Sequence, residues 1–223
     1  MLLNLDAGEH EDEREELWAL FDVLNIACGG HAGNPASMER LVAFCARDQG
    51  PRAGAHPSYP DREHFGRRTI QIAPDALAAT IAEQCATLAT IARQHALTIG
   101  SVKPHGALYH DAATNETIAH AVLEGIVDAL GAGVVVIGSP RGELRNAAKL
   151  LGLRYAREGF ADRRMRPDGT LAPRSEPDAL ITDPTEAAAQ ATALAPEVDT
   201  ICVHSDTPGA IAIARAVREA LRG

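Results

Sequence analysis

The sequence predicts an α/β fold, an incomplete or distorted seven-stranded parallel β/α barrel. Three observations support this prediction. Short apolar segments alternate with amphipathic helical segments along all 223 residues, which is the pattern of a parallel sheet with right-handed crossovers. The alternation occurs seven times, which fits a barrel better than an open doubly wound sheet. Polar residues, many of them His or Asp, follow most of the predicted strands, as they do at the carboxyl ends of barrel strands.

The predicted strands are short and are bounded by Gly, Pro or polar residues. The clearest of them contains the continuous Val-Val-Val-Ile run at 134–137, as expected for a strand that is covered on both faces. The seven predicted strands cover residues 2–5, 23–27, 52–55, 99–103, 134–138, 154–156 and 200–204.

The predicted helices follow from apolar spacing and from capping residues. The segment 74–95 carries apolar residues at helical intervals. Asn34-Pro35 and Asp183-Pro184 each combine a good N-cap with proline at the first helical position. The predicted helices cover residues 11–21, 35–47, 74–95, 115–130 and 142–151, and two more begin near residues 184 and 208.

Composition and charge exclude several classes of protein. A net charge of −9 and a pI near 5.4 argue against a nucleic-acid partner and against an anionic membrane surface. No apolar run approaches the length of a bilayer span, and the N-terminus lacks the features of a secretory signal. The four cysteines are scattered without a CxxC pair, which indicates reduced thiols. We therefore expect one cytoplasmic domain that spans residues 1–223.

The loop after the third predicted strand is the largest group of polar residues in the chain. Pro57 and Pro60 cannot donate hydrogen bonds to a sheet, so no central strand continues past His56. The loop also carries Arg62 and Arg67, which could bind a carboxylate or phosphate in a bidentate manner. A loop of this length inside a compact domain is usually functional or disordered, and its aromatic residues argue against disorder.

Histidine and charged residues recur where the other predicted strands end, so the barrel topology should bring them to one face. Histidine titrates near neutrality, and carboxylates orient it or accept protons. The pattern therefore indicates general acid–base catalysis or metal-assisted hydrolysis. No GxGxxG or GxxxxGK[ST] motif follows any strand, which leaves no dinucleotide site and no ATP phosphate loop. The strand ends carry Asn4, Asp6, His31, His56, Lys103, His105, Asp162, Arg163, His204 and Asp206. We expect eight of these ten, all except Asn4 and Arg163, to line one cavity.

Six ordered sequence blocks extend from nearly one end of the chain to the other. They are Leu3-Asn4-x-Asp6-x-Gly8-Glu9, Asn25-Ile-Ala-Cys-Gly-x-His31-Ala-Gly33, Gly54-Ala-His-Pro-Ser-Tyr-Pro-Asp61 with Phe65-Gly-Arg67, Val102-Lys-Pro-His-Gly-Ala-Leu-Tyr109, Phe160-Ala-Asp-Arg163 with Asp168-Gly169, and Ile201-Cys-Val-His-x-Asp-Thr-Pro208. Together these blocks resemble the LamB/YcsF family. The resemblance implies a β/α barrel related to the polysaccharide deacetylases of the glycoside hydrolase/deacetylase superfamily. It also implies the role of the A subunit in a bacterial 5-oxoprolinase, which opens 5-oxoproline to L-glutamate with ATP, together with subunits B and C.

Lactam opening needs a polarised water, a donor for the leaving nitrogen and a counter-charge for the oxyanion. We predict that Asp6 and Asp206 approach each other as a base–acid couple when the barrel closes, and that Lys103 and His105 stabilise the anionic oxygen. We also expect Lys103→Met to leave folding almost intact. The predicted substrate-binding residues are Asn4, His56, Arg62, Arg67, Asp162 and Arg163, and a divalent metal ion would use His31, His56 and His204.

Two alternatives stay open at this point. One is a stand-alone metal-dependent carbohydrate deacetylase, which rests on fold analogy. The other is a non-catalytic subunit that binds 5-oxoproline for a partner. The absence of a phosphate loop suggests that ATP is shared with the partner subunits.

Overall fold

The structure is a computed structural model, and it describes residues 1–166, 171–172 and 176–222. The Asp168-Gly169 pair of the fifth sequence block lies outside the described residues. Seven parallel strands close into a barrel in chain order, so the predicted β/α barrel is confirmed. The strands are β1 (Leu2–Ala7), β2 (Val23–Ala27), β3 (Arg52–His56), β4 (Ser101–Val102), β5 (Val135–Gly138), β6 (Arg154–Phe160) and β7 (Thr200–His204).

Closure of the barrel joins the first strand to the last. In the sheet register Asp6 of β1 lies beside Asn25 of β2 on one side and His204 of β7 on the other. Three polar side chains that lie far apart in the sequence therefore meet at one level of the barrel.

The helices lie outside the barrel and cover the apolar residues of the strands. The buried side chains at their interface include Leu5, Ile26, Val136 and Val203, all fully buried. The helices are α1 (Glu15–Trp18), α2 (Pro35–Cys45), α3 (Pro74–Gln94), α4 (Gly106–Thr114), α5 (Glu116–Leu130), α6 (Glu143–Leu150), α7 (Pro184–Leu194) and α8 (Ala210–Ala220).

Both predicted proline caps are present at helix starts. The side chain of Asn34 accepts a hydrogen bond from the backbone N–H of Ser37, and Asp183 accepts one from the backbone N–H of Glu186. Helix α4 was not predicted, because its first residue follows directly on the Lys-Pro-His motif and the whole stretch resembles a loop.

Strand β6 is longer than predicted, and this difference matters for the site. The prediction ended at residue 156 because Arg157, Glu158 and Gly159 are polar or flexible, whereas the strand runs to Phe160. The side chains alternate as in any strand: Arg157 pairs with Asp199 outside the barrel, while Glu158 is buried inside it. The longer strand therefore places the Glu158 side chain in the barrel interior.

A polar ladder fills the barrel interior below the carboxyl ends of the strands. The Nδ2 of Asn4 donates to Thr200 Oγ1 at 2.9 Å. The Nδ2 of Asn25 donates to Asn4 Oδ1 at 2.8 Å and to Asp6 Oδ1 at 3.1 Å. This ladder fixes the Asp6 carboxylate from beneath.

Among the described residues, the helices are too short or too polar for any of them to cross a membrane.

Candidate active site

A cavity of about 590 Å³ opens at the carboxyl ends of the strands. One wall carries acids, histidines and Lys103, and the other carries arginines with apolar and aromatic side chains. The first wall is formed by Asp6, Glu9, His56, Lys103, His105 and His204, and the second by Arg67, Tyr109, His110, Phe160, Arg163, Leu171 and Ala172.

Lys103 lies at the centre of the charged wall, at the end of the short strand β4. Its Nζ is 2.8 Å and 3.0 Å from the two carboxylate oxygens of Asp6, 2.9 Å from Glu158 Oε1 and 3.2 Å from Cys202 Sγ. Burial alone would lower the pKa of Lys103, but the attraction of Asp6, Cys202 and Glu158 raises it well above its usual range. Lys103 is therefore a permanent buried cation.

The two carboxyl groups that share Lys103 differ in their proton affinity. Burial opposes ionisation of Asp6, yet the nearby His56 and Lys103 hold its pKa well below the usual range. The pKa of Glu158 is raised, because burial and the charge of Asp6 outweigh the attraction of Lys103. Asp6 is thus the ionised partner, and Glu158 is the carboxyl that more readily takes up a proton.

A second cluster surrounds Glu9, in the loop after β1. Glu9 Oε1 is 2.9 Å from His31 Nε2, 3.0 Å from His105 Nδ1 and 3.6 Å from His56 Nε2. The rings of His31 and His105 stack with centroids 3.6 Å apart. Burial opposes ionisation of Glu9, but the neighbouring His105 and His31 keep its pKa well below the usual range. Burial and the neighbouring His105 lower the pKa of His31 to about 3.

The carboxylate of Asp162 orients His204. Its Oδ1 is 2.9 Å from His204 Nδ1, and its Oδ2 accepts the backbone N–H of His204 at 2.8 Å and the hydroxyl of Thr207 at 2.6 Å. Burial opposes ionisation of Asp162, but the contacts with His204 and Thr207 lower its pKa below the usual range. The other ring nitrogen of His204 faces the cavity, 3.8 Å from Asp6 Oδ2.

The structure brings most of the predicted site residues together. Five of the eight residues expected to share one cavity line it: Asp6, His56, Lys103, His105 and His204. Two of the remaining three lie directly behind that wall, His31 against Glu9 and Asp162 against His204. They contact lining residues rather than the open space.

Asp206 forms an ion pair with an arginine that the sequence did not suggest as its partner. Its Oδ2 accepts a hydrogen bond from Arg67 Nη2 at 3.0 Å, and Arg67 lines the cavity. Strand β7 ends at His204, so Asp206 already belongs to the following turn. The couple of Asp206 with Asp6 stays a prediction.

The predicted substrate-binding residues separate into three positions. Arg67 and Arg163 line the cavity, together with His56. Arg62 instead donates to the backbone carbonyls of Gly29 and Gly33 at 3.0 Å and 2.8 Å, which ties two loops together outside the cavity. Asn4 belongs to the polar ladder within the barrel, and Asp162 supports His204.

Three buried residues of the site were missed by sequence reasoning. Glu9 follows the first strand within the first sequence block, and its position beside Asp6 was the available signal. Glu158 was hidden because the predicted strand ended at residue 156, two residues before it. Cys202 was considered only as one of four scattered thiols, and it is fully buried with its sulfur in contact with Lys103.

Glu13 holds the loop that carries Glu9. Its carboxylate accepts the backbone N–H groups of Gly8, Glu9 and His10 at 2.8–3.2 Å. It also accepts the indole N–H of Trp18 at 3.0 Å and the hydroxyl of Ser205 at 3.1 Å. These bonds replace the first turns of the predicted helix, which explains why α1 begins only at Glu15.

We expect Glu13→Gln to destabilise this loop. The glutamine amide cannot accept all five hydrogen bonds, because its NH₂ group would face donors instead of acceptors. A lost charge-assisted hydrogen bond contributes about 1.5–3 kcal/mol, so the free energy of unfolding should fall by at least this amount. Urea denaturation measures it. The matched control is Glu11→Gln, an exposed position in the same loop. Equal stability of the two variants would contradict the assigned role of Glu13.

Comparison with known proteins agrees with the resemblance in the sequence. The A subunit of 5-oxoprolinase from Methylococcus capsulatus is 42% identical over 97% of this chain and 90% of its own length. That of Chloroflexus aggregans is 40% identical over 98% of this chain and 94% of its own length.

A solved structure is similar over the whole fold. The crystal structure of the lactam utilization protein from Thermus thermophilus matches with a TM-score of 0.90 and 35% identity, over 100% of this chain and 96% of that one. The model of the LamB/YcsF family matches residues 1–223. The chain therefore belongs to the LamB/YcsF family.

Proposed function

We propose that this chain is the A subunit of an ATP-dependent 5-oxoprolinase, which opens 5-oxoproline to L-glutamate together with subunits B and C. The observation that carries the proposal is the identity of 40–42% along almost the entire chain with proteins named as the A subunit of 5-oxoprolinase. The similar solved structure is that of a lactam utilization protein, which is consistent with a cyclic amide as substrate.

The two walls of the cavity suit the two ends of 5-oxoproline. The substrate has one carboxylate and one lactam ring. Arg163 and Arg67 line one side, and an arginine guanidinium matches a carboxylate in geometry and charge. The lactam carbonyl would then face Lys103, whose positive charge can stabilise a developing oxyanion.

The base that activates water is best assigned to His204. Asp6 is held strongly in its ionised form by His56 and Lys103, and a carboxylate of low pKa accepts protons poorly. His204 faces the cavity with one ring nitrogen and is oriented through the other by Asp162. This arrangement resembles the orienting role of aspartate in hydrolytic triads. Asp6 is then the group that holds Lys103 in position.

The reaction consumes one ATP and two waters. ATP would first transfer its γ-phosphoryl group to the lactam carbonyl oxygen, which releases ADP. Water then adds to the activated carbonyl carbon, the C–N bond breaks, and the ring nitrogen takes a proton to give the amino group of L-glutamate. A second water hydrolyses the resulting acyl phosphate and releases phosphate. No phosphate loop is present in the sequence, so we propose that ATP is bound with the help of the partner subunits.

The test is ATP hydrolysis that depends on 5-oxoproline, measured with and without the cognate B and C subunits. We expect turnover of the complete assembly and negligible turnover of this chain alone. The lactam 2-pyrrolidinone, which lacks the carboxylate, should be a much poorer substrate because it would lose the contact between the carboxylate and the arginine side.

Three outcomes would overturn the proposal. Robust ATP-coupled turnover by the isolated chain would remove the need for partners. Acetyl release from an acetylated carbohydrate without ATP would favour the deacetylase alternative. Full turnover after substitution of both Lys103 and His204 would leave this chain with a non-catalytic binding role.

A further inference from the structure

Backbone carbonyls fix the tautomers of two histidines in the site. His56 Nδ1 is 2.7 Å from the carbonyl oxygen of Lys103, and His105 Nε2 is 3.0 Å from that of Phe65. A carbonyl oxygen only accepts hydrogen bonds, so both of these nitrogens carry their hydrogen. In the neutral rings, His56 Nε2 and His105 Nδ1 are therefore left with lone pairs.

These two lone pairs face each other and a carboxylate. His56 Nε2 and His105 Nδ1 are 3.0 Å apart. Glu9 Oε1 is 3.0 Å from the second nitrogen and 3.6 Å from the first. Three acceptors at these distances have no hydrogen between them, and their mutual repulsion in a buried site is relieved only by a cation, either a proton or a metal ion.

We propose that Glu9, His56 and His105 bind a divalent transition-metal ion such as Zn²⁺. Histidine nitrogens and carboxylate oxygens lie about 2.0–2.2 Å from zinc, so ligands that subtend angles of about 90–110° at the ion are about 2.8–3.6 Å apart. The separations of 3.0, 3.0 and 3.6 Å among the three atoms match this triangle. The two carbonyl partners supply the outer hydrogen bonds that orient metal-bound histidines.

The charges of the described residues favour a divalent cation at Glu9. Asp6, Glu9 and Glu158 are three acids whose side chains are at most 5% exposed, and Lys103 is the single ammonium group that contacts any of them. A divalent ion at Glu9 would balance the remaining negative charge. The other group with suitable donor atoms, Asp6, Cys202 and His204, already has the Lys103 ammonium against two of its members.

His31 is a positioning residue for Glu9 rather than a ligand. Its Nε2 is 2.9 Å from Glu9 Oε1, while its Nδ1 is buried and has no hydrogen-bond partner among the described residues. If Nε2 bound the ion, Nδ1 would be a buried N–H without an acceptor. If Nε2–H donates to Glu9, only a lone pair stays unsatisfied, which is the less costly case. Of the predicted metal ligands His31, His56 and His204, this proposal retains only His56.

The ion would supply Lewis-acid chemistry toward water or the lactam carbonyl. That catalytic role rests on the proposed function, whereas binding of the ion does not. The test therefore uses the metal alone, without 5-oxoproline, ATP or partner subunits.

The experiment is a titration of the chelator-treated full chain with Co²⁺, followed by its visible spectrum, and then competition with Zn²⁺. We expect one ion per chain, with a spectrum typical of nitrogen and oxygen ligands. His56→Ala and His105→Ala should each weaken binding by more than about 100-fold, which exceeds the usual effect of changing an outer partner. His120→Ala, at an exposed position of α5, is the matched control and should bind normally.

His31→Phe separates positioning from ligation. It preserves the ring that stacks on His105 but removes the hydrogen bond to Glu9. We expect affinity for Co²⁺ to fall by about 10–100-fold with an unchanged spectrum at saturation. A changed spectrum would make His31 a ligand and overturn its assignment.

Wild-type protein that binds no stoichiometric ion would overturn the metal site and favour a protonated His56. So would full binding by His56→Ala and His105→Ala. If these variants fail to fold, the anomalous signal of a Co²⁺-soaked wild-type crystal decides the location. If the chain binds the metal ion but the complete assembly is inactive toward 5-oxoproline, the proposed function is refuted and the metal site is not.

Discussion

Lys103→Met is expected to lower the 5-oxoproline-dependent turnover of the assembled enzyme by about 10²-fold or more, the typical effect of removing one oxyanion donor. Lys103 is the buried cation nearest to the proposed position of the lactam carbonyl, and it lines the cavity. Methionine has a similar length but no charge, so the cavity keeps its shape while the oxyanion loses its counter-charge. The KM for 5-oxoproline should change less than kcat, because the carboxylate still contacts the arginine wall.

The same substitution should also destabilise the fold, contrary to the expectation from the sequence. Lys103 is 2% exposed and pairs with Asp6 and Glu158. Removing one partner of a buried ion pair costs about 3–5 kcal/mol. The double variant Lys103→Met/Glu158→Gln removes one of the stranded carboxyl groups, so it should recover part of this loss without recovering turnover.

The matched control for Lys103 is the other lysine of the chain. Lys149 is exposed near the end of α6, and Lys149→Met should leave both turnover and stability unchanged. Turnover is compared at a temperature where circular dichroism shows each variant to be folded. Normal turnover by folded Lys103→Met would remove Lys103 from the mechanism.

The barrel was predictable from the sequence because its strands and helices alternate regularly. Strand ends that carry His or Asp were predictable for the same reason, since parallel strands bring their carboxyl ends to one face. This argument brought Asp6, His56, Lys103 and His204 to one cavity without any distance being known. The pairing of β1 with β7 also followed from strand order, whereas the register that sets Asp6 beside His204 did not.

The contacts within the site were not predictable from strand order. Whether Asp206 meets Asp6 or Arg67 depends on where β7 ends, and element boundaries are the least certain feature of a sequence. Glu158 was overlooked because a polar residue inside a barrel strand resembles a loop residue. The tautomers of His56 and His105 depend on backbone carbonyls, which no side-chain pattern encodes.

Asp6→Asn should lower turnover in the complete assembly by about 10²-fold or more, within the range for losing a positioned acid–base or electrostatic group. Asp6 contacts Lys103 at 2.8 Å and lies 3.4 Å from His56 and 3.8 Å from His204. One neutral amide would therefore disturb three groups of the proposed mechanism at once. Asparagine has the same shape, so the cavity itself should persist.

The loss of stability should be smaller than for Lys103→Met. Burial and the charge of Asp6 together raise the pKa of Glu158. Once Asp6 is neutral, the pKa of Glu158 falls, and Glu158 can serve as the ionised partner of Lys103. The buried ammonium therefore keeps a counter-ion. We expect the free energy of unfolding to fall by about 1.5–3 kcal/mol, the value of a hydrogen bond to a charged group.

The pH dependence of stability provides a separate measurement on the same variant. The pKa of Asp6 in the folded chain is held well below its ordinary value of 3.8. The ionised form therefore stabilises the fold above about pH 4, and this stabilisation is lost as the pH falls through the lower folded pKa. Asp6→Asn should thus lose less stability on acidification than the wild type.

Asp48→Asn, at an exposed position after α2, is the matched control and should change neither turnover nor acid stability. If Asp6 only supported its loop, Asp6→Asn would lower the melting temperature while the folded fraction kept its activity. If Asp6 holds Lys103 for catalysis, turnover per folded molecule falls while most of the stability is retained. Measuring both quantities on Asp6→Asn and Asp48→Asn separates the two roles, and near-normal turnover by folded Asp6→Asn would exclude Asp6 from the mechanism.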